Sequence, residues 1–295
     1  MEKKTAVFRG IASVMAFLLM LTMSGTTLML QYAGAINQAL NTPTSKIITS
    51  ETESVDTDYY TSEFGTDYTN KQAALRLEMA VAAQNVLQAE EGTVLLRNEN
   101  NALPLSAGSG ITVFGNASRN SNVALSTVSS IPSMTFNAAL QKVFGDAGIN
   151  TVLSDNVYSK LGSTGNTEVV EAALADVTKY EDSWKNAYND AAIVVLARSG
   201  GESSDIALLN TDGTHMLGLT VKEEALMDYL RQQKASGVFK KIIVIVNSEY
   251  MMELGWLDEY SVDACLLVGN PGTTGYEGVA NILAGKTTPS GKTVD

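Results

Sequence analysis

Eight residues, Arg198-Ser199-Gly200-Gly201-Glu202-Ser203-Ser204-Asp205, hold one guanidinium and two carboxylates directly behind an apolar run at 192–197. Two glycines let the backbone turn sharply at the end of that run, so Glu202 is delivered where a strand gives way to a loop. A carboxyl group in that position has the chemistry of a general acid, giving a proton to a leaving group and taking one back from water. The same letters also describe a flexible surface loop in which Glu202 is merely solvated, and the residues alone leave both readings open. Two further loops follow apolar runs. Asn247-Ser248-Glu249-Tyr250 offers polar groups without a recognisable constellation and reads as a cap for the next short helix. The segment from Gly269 to Gly278 is glycine-rich, yet no Lys-Ser/Thr pair follows its glycines and the G-x-G-x-x-G spacing is missing, so it reads as a tight structural turn. His215 is the single histidine, in the turn pattern Asp212-Gly213-Thr214-His215, and no G-x-S-x-G elbow exists to make it part of a triad. One Cys and one His rule out a Cys/His zinc site, and no cofactor is implied.

Such loops need a scaffold that ends several strands at one edge. Leu75, Met79, Ala82 and Val86 fall on one helical face, and 93–96 and 111–114 are short β-branched and aliphatic runs. Phe136, Leu140 and Val143 share a face that stops near Gly145 and Gly148. The pattern then predicts a strand at 151–153 and a helix through Val170, Leu174 and Val177. Residues 192–197, 242–246 and 264–268 are continuously apolar, as strands covered on both faces are. Thr220 and Glu223 form a capping box ahead of Leu226, Tyr229 and Leu230. Tyr276, Val279, Ala280 and Leu283 make a last helix at spacing i, i+3, i+4, i+7. Strands alternating with helices predict an α/β fold, a three-layer α/β/α sandwich with a mainly parallel sheet. Ligands collect beyond the carboxyl ends of such strands, which singles out the loops after residues 197, 246 and 268.

Composition agrees with a buried core: of 295 residues, 45% are hydrophobic and 18% charged, with 24 Gly and only 5 Pro. A net charge of −12 repels phosphate backbones and excludes nucleic acid as a partner. Cys265 has no second cysteine to pair with, and its apolar neighbours predict burial. Ahead of the folded part, Lys3, Lys4 and Arg9 precede a stretch over 10–45 without a charged residue. Its apolar heart at 11–30 is long enough to cross a bilayer, since about 20 helical residues at 1.5 Å each span about 30 Å. Residues 1–35 therefore read as an N-terminal apolar helix that is either a membrane anchor or a cleaved signal segment, for which Ala33-Gly34-Ala35 supplies a small-x-small site. Either way the remainder lies outside the cytoplasm, membrane-anchored and facing outward, or secreted. Residues 36–70 form an acidic spacer, with six Asp and Glu between Lys46 and Lys71 and no base among them. The folded domain occupies 71–295.

Taken in order, these pieces resemble a known domain. Glu91-Gly92-Thr93-Val94-Leu95-Leu96-Arg97-Asn98-Glu99-Asn100-Asn101-Ala102-Leu103-Pro104-Leu105 is similar to the segment that opens the α/β sandwich domain of glycoside hydrolase family 3, the β-glucosidase and β-xylosidase family. The run at 111–115, the strand with its Gly-Gly-Glu loop, the run at 241–247, and Val262-Asp263-Ala264 through Gly269-Asn270-Pro271-Gly272 to Pro289-Ser290-Gly291-Lys292 resemble the same domain in the same order, over residues 73–295. The resemblance implies a retaining hydrolase of β-linked oligosaccharides or glycosides, with an aspartate nucleophile on a (β/α)8-type barrel and a glutamate acid/base on the sandwich. By motif that glutamate is Glu202, with Arg198 and Asp205 as substrate-binding candidates beside it. Ser203 departs from the glycine often found after the glutamate. The family's Ser-Asp-Trp nucleophile segment is absent, and Asp182-Ser183-Trp184 has the letters in another order and takes no role. A sandwich placed directly behind a membrane-type segment resembles the subgroup with swapped domain order, so a barrel is expected downstream or in trans. The alternative is a non-catalytic carbohydrate-binding or interaction module of the same fold.

Overall fold

A computed structural model describes residues 2–40, 70–121, 133–200 and 205–293. The chain divides into two compact units, Met1–Thr61 and Ser62–Asp295. The first holds α1 (Glu2–Gln31) and α2 (Ala33–Ala39). Within α1, Lys4–Gln31 is long and apolar enough to cross a membrane by length and composition, and none of that stretch is buried. Its polar side chains turn inward on the helix itself: Ser13 Oγ donates to the Arg9 carbonyl at 3.0 Å, and the Thr22, Thr26 and Thr27 hydroxyls donate to carbonyls three or four residues back at 2.8, 2.8 and 2.9 Å. That bonding leaves an apolar exterior suited to lipid. Helix α2 runs to Ala39, into the span read as spacer, and most of that span, 41–69, lies outside the described residues.

The second unit runs α3 (Lys71–Gly92), β1 (Val94–Asn98), β2 (Ile111–Phe114), α4 (Phe136–Phe144), β3 (Ile149–Asn150), α5 (Val152–Asn156), α6 (Leu174–Thr178), β4 (Ala191–Arg198), α7 (Val221–Ala235), β5 (Ile242–Ser248), β6 (Ala264–Leu267) and α8 (Tyr276–Leu283). The strands form one sheet in the order β1-β6-β5-β4-β2-β3, parallel throughout except for β1, which runs antiparallel to β6 at the edge. This is the three-layer α/β/α sandwich that the alternation of strands and helices predicts. Side chains leave a strand on alternate faces, so each continuous apolar run feeds two cores. Ile111, Val113, Ile193, Val195, Ile243, Ile245 and Leu266 meet Phe136 and Leu140 of α4 and Tyr276, Val279 and Leu283 of α8. Their neighbours in sequence, Phe114, Ala192, Val194, Ile242, Val244 and Cys265, meet Leu226, Met227 and Leu230 of α7 on the opposite face. There Trp184 and Phe239 each stand edge-on to Phe114, with ring centroids 5.3 and 5.8 Å away. Cys265 is fully buried, as expected, and burial pushes its thiol up to about 12, so it stays protonated and unreactive.

Two predicted elements differ. The strand expected at 151–153 is instead Ile149–Asn150, followed at once by helix α5. Asn150 causes the break, because its Oδ1 accepts the Val152 N–H at 3.1 Å and turns the chain, while its Nδ2 donates to Ser183 Oγ at 2.9 Å. The helix expected from Val170 begins only at Leu174. Val170 and Glu171 are held out of it by long-range bonds: the Val170 carbonyl accepts from Asn116 Nδ2 at 3.0 Å, and Glu171 Oε2 accepts the Asn116 N–H at 2.9 Å. The capping box of α7 forms as read, with Thr220 and Glu223 each accepting from the other's backbone N–H, at 3.2 and 2.9 Å.

Helix α3 lies on α8 at Val86 and accepts at the Ala82 carbonyl from the hydroxyl of Thr274, just ahead of α8, while Leu75 and Met79, predicted on the same face, stay exposed. The approach is close because position 278 is glycine: a Cβ there would stand 2.5 Å from the Val86 carbonyl oxygen. Backbone cannot retreat as a flexible side chain can. Gly278→Ala is expected to push α3 off α8 and cost about 1–3 kcal/mol, as overpacking of a filled interface does. Gly108, with open space around its Cβ position, is the control. Urea denaturation of the intact chain should show Gly278→Ala lowering the midpoint and Gly108→Ala leaving it nearly unchanged.

Candidate functional site

Every residue of β4 is buried, and its last, Arg198, is a charged group with 0% of its side chain exposed. Such a cation survives only if all its donors find acceptors. They do: Nη1 and Nη2 fork onto Oε1 and Oε2 of Glu223 at 2.9 and 2.8 Å, Nε donates to the Met216 carbonyl at 2.6 Å, Nη1 also to the Ala197 carbonyl at 2.7 Å, and Nη2 also to the Gly218 carbonyl. Glu223 is equally buried at 1% and is the same carboxylate that closes the α7 capping box. One ion pair thus ties together the end of β4, the segment 216–218 and the first turn of α7. A planar guanidinium fits this bidentate role, which an ammonium would not.

The loops after β4, β5 and β6 share one rim. Arg198 is in register with Ser248 of β5. Ser248 Oγ accepts the Tyr250 N–H at 3.0 Å, and the Tyr250 phenol lies against Gly200, occupying the space a side chain there would need. Asn247 Nδ2 donates to the Gly269 carbonyl at 2.6 Å and Asn270 Nδ2 to Glu249 Oε1 at 2.9 Å, so β5 and the turn after β6 are cross-linked. In that turn Gly269 and Gly272 have φ of 63° and 72°, the left-handed region that glycine enters freely. The glycines there make a turn.

Of the sequence-derived candidates, Glu202 falls within 201–204, outside the described residues. Arg198 is sequestered as above. Asp205 is exposed, with Oδ1 accepting the Ile206 N–H at 2.8 Å and its carbonyl accepting from Asn166 Nδ2 at 3.3 Å. His215 is exposed in its turn, its Nδ1 3.9 Å from Glu253. Beside it the Thr214 hydroxyl, donating at 2.6 Å, holds the Asp212 carboxyl below the ordinary range. Among the described residues no group of three or more His, Cys, Asp or Glu side chains could hold a metal ion.

Two carboxylates were missed as site residues. Glu223 was read only as a helix cap, because its partner stands 25 positions away on another element. Glu171 is buried beyond the end of β2, where Oε2 and Oε1 accept the Asn116 and Ala172 N–H groups at 2.9 and 2.7 Å. Burial pushes its carboxyl up to about 7, against the pull of those donors, with Glu223 adding to the rise and Lys222 opposing it. The signal was present: Glu171 interrupts the apolar run Val169-Val170-Glu171-Ala172-Ala173-Leu174.

Known proteins share this domain. Residues 93–294 match the model of the glycosyl hydrolase family 3 C-terminal domain. A probable beta-glucosidase G of Neosartorya fischeri is 27% identical over 215 residues, which is 68% of this chain and 23% of that protein. A beta-glucosidase of Ruminococcus albus is 32% identical over 107 residues, covering 36% of this chain and 10% of that one. The structure of beta-glucosidase 3B from Thermotoga neapolitana, in complex with alpha-D-glucose, superposes with a TM-score of 0.53 at 22% identity, over 75% of this chain and 30% of that one. At that identity the superposition speaks for the fold alone. The chain spans about a quarter or less of the curated relatives named here. With the greater part of its length under the family model, the chain belongs to glycosyl hydrolase family 3, as a carrier of that family's C-terminal domain.

Proposed function

We propose that this chain is the acid/base part of an exported, retaining β-glycosidase of the β-glucosidase or β-xylosidase type, acting on β-linked oligosaccharides or glycosides. Glu202 protonates the leaving oxygen and then draws a proton from water, while an aspartate on a (β/α)8-type barrel, downstream or in trans, attacks the sugar carbon. Retention requires the two carboxyl groups about 5–5.5 Å apart. The reading is carried by one observation: the family match runs through the Gly-Gly-Glu loop, and that loop springs from a strand end locked by the Arg198–Glu223 pair. Full burial gives Arg198 the part of a positioning residue within this proposal, acting on the loop and not on the sugar, and leaves Asp205, which is exposed, as the candidate for substrate contact. The apolar helix α1, suited to a signal anchor or a signal peptide, supports export.

A second reading rests on a fold not dictating one function: a carbohydrate-binding or interaction module that keeps the family's C-terminal domain without the reaction. Assay on aryl β-glucosides separates the two. The chain joined to, or mixed with, its barrel should turn over, and Glu202→Gln should slow cleavage of poor leaving groups about 10²–10⁴-fold, the usual worth of a general acid. With an activated aryl leaving group, which departs without a proton, azide should restore rate to that variant by attacking the glycosyl-enzyme in place of water. Sugar affinity without turnover in any combination favours the module, and an unimpaired Glu202→Gln removes Glu202 from the mechanism.

The anchor makes a separate prediction. Arg198→Met strands a buried carboxylate and should cost about 3–5 kcal/mol in urea denaturation, whereas Arg198→Met with Glu223→Leu should recover much of that loss. A single variant as stable as the parent would contradict the buried pair.

A further inference from the structure

A second feature of the sandwich unit concerns a cavity rather than the rim. It has a volume of about 340 Å³ and lies between the segment around α5, the start of α6 and the first turn of α7, and its lining includes Lys160, Lys179, Lys222, Glu171, Asp176 and Tyr180. Three lysines are among its lining residues, in a chain that carries 32 acidic against 20 basic residues. Both carboxylates of the lining are already occupied. Asp176 accepts from Lys179 Nζ at 2.7 Å, which is the main reason its carboxyl is held below the ordinary range, with Lys160 adding to the effect. The two oxygens of Glu171 accept backbone N–H groups, and Lys222 Nζ donates to the neutral main-chain carbonyl of Glu171 at 2.9 Å. Among the described residues Lys160 and Lys222 make no direct ion pair with a carboxylate, and they stand at a concave site where low-dielectric walls concentrate the field. We propose that this cavity binds a compact oxyanion of the phosphate or sulfate class, free or carried on a sugar, with Lys160 and Lys222 as its principal ligands.

Glu171 would make such binding depend on pH. The groups that face it are Tyr158, Lys222 and Glu223, with Asp176, Lys160 and Lys179 across the cavity. Tyr158 is held well above its ordinary value by burial and so keeps its proton, and Glu223 is paired with Arg198. Glu171, pushed up to about 7, changes its charge near neutrality. Below that pH it is neutral and the cavity is more positive; above it, an added negative charge beside Lys222 repels an anion. Affinity should fall as pH rises.

Equilibrium dialysis of labelled sulfate against the intact chain in non-ionic detergent tests this, because sulfate stays a dianion across the range. Saturable binding is expected, about three- to tenfold weaker at pH 8 than at pH 6, the effect of one charge across a solvated cavity. Lys160→Ala, an exposed position whose fold can be verified by circular dichroism, should weaken binding about tenfold at both pH values, and adding Lys222→Met should abolish it. Comparing glucose 6-phosphate with inorganic phosphate at one pH distinguishes the sources: tighter binding of the sugar ester assigns the ligand to a phosphorylated saccharide, and equal binding assigns it to the free anion. Absence of saturable binding up to about 20 mM, a concentration that would reveal even millimolar affinity, overturns the proposal. So does binding unchanged in Lys160→Ala. The outcome is independent of whether Glu202 is catalytic.

Discussion

A guanidinium and a carboxylate shut away from water between β4 and α7 join the strand end, the segment 216–218 and the helix start at the carboxyl rim. Burying either ion alone would cost several kcal/mol, so the pair persists only with both oxygens and all the nitrogens bonded. That requirement is geometrically strict. It fixes where the strand ends, because Arg198 must reach the capping carboxylate of Glu223. It also fixes where the segment 216–218 lies, because the Met216 and Gly218 carbonyls complete the set of acceptors. The strand end and the helix start are thereby held to each other.

The same logic recurs elsewhere in the sandwich. Asn116, at the exit of β2, donates its N–H to Glu171 and its Nδ2 to the Gly162 and Val170 carbonyls. At the opposite end of the sheet, Asp190 accepts the Gly110 N–H at 2.8 Å and pairs with Lys240 at 2.5 Å, and the Lys240 hydrogen bond above all holds that carboxyl below the ordinary range. Irregular segments have no ladder to satisfy their backbone groups, so buried side chains do it instead. The apolar strands supply cohesion and these polar splints supply shape. A carboxylate used as a splint inside the protein, such as Glu171, is also one whose proton affinity is displaced, which is how a structural residue acquires sensitivity to pH.

Much of the fold was legible. The runs at 192–197 and 242–246 became central strands, and 264–268 gave most of a third, because a strand buried on both faces must be apolar at every position. The α7 capping box and the i, i+3, i+4, i+7 spacing of α8 were equally plain, being local patterns. The helix expected from Val170 and the strand at 151–153 were misplaced because distant partners, Asn116 in one case and Ser183 with the Asn150 turn in the other, outweighed local preference. For α3, the apolar face read from Leu75, Met79, Ala82 and Val86 is only half covered, since α8 meets it at Val86 and Thr274, ahead of α8, at Ala82. At the candidate site, the loop and its acidic residue were visible as a motif, whereas the burial of Arg198 was not, for an arginine beside two glycines reads equally well as a surface cation.

The amino-acid sequence by itself determined the periodicities: which segments are helix or buried strand, that a lone cysteine is interior, that an apolar helix precedes the domain, and that a glutamate follows a strand end. These are properties of neighbouring residues, and the side-chain period of 2 or 3.6 writes them directly into the chain. The tertiary structure alone decided which polar groups are hidden and which partner each one keeps. Arg198 meets Glu223, Glu171 meets Asn116, and three lysines line one cavity. Desolvation energy depends on everything that surrounds a charge, and what surrounds it comes from elements tens of residues apart.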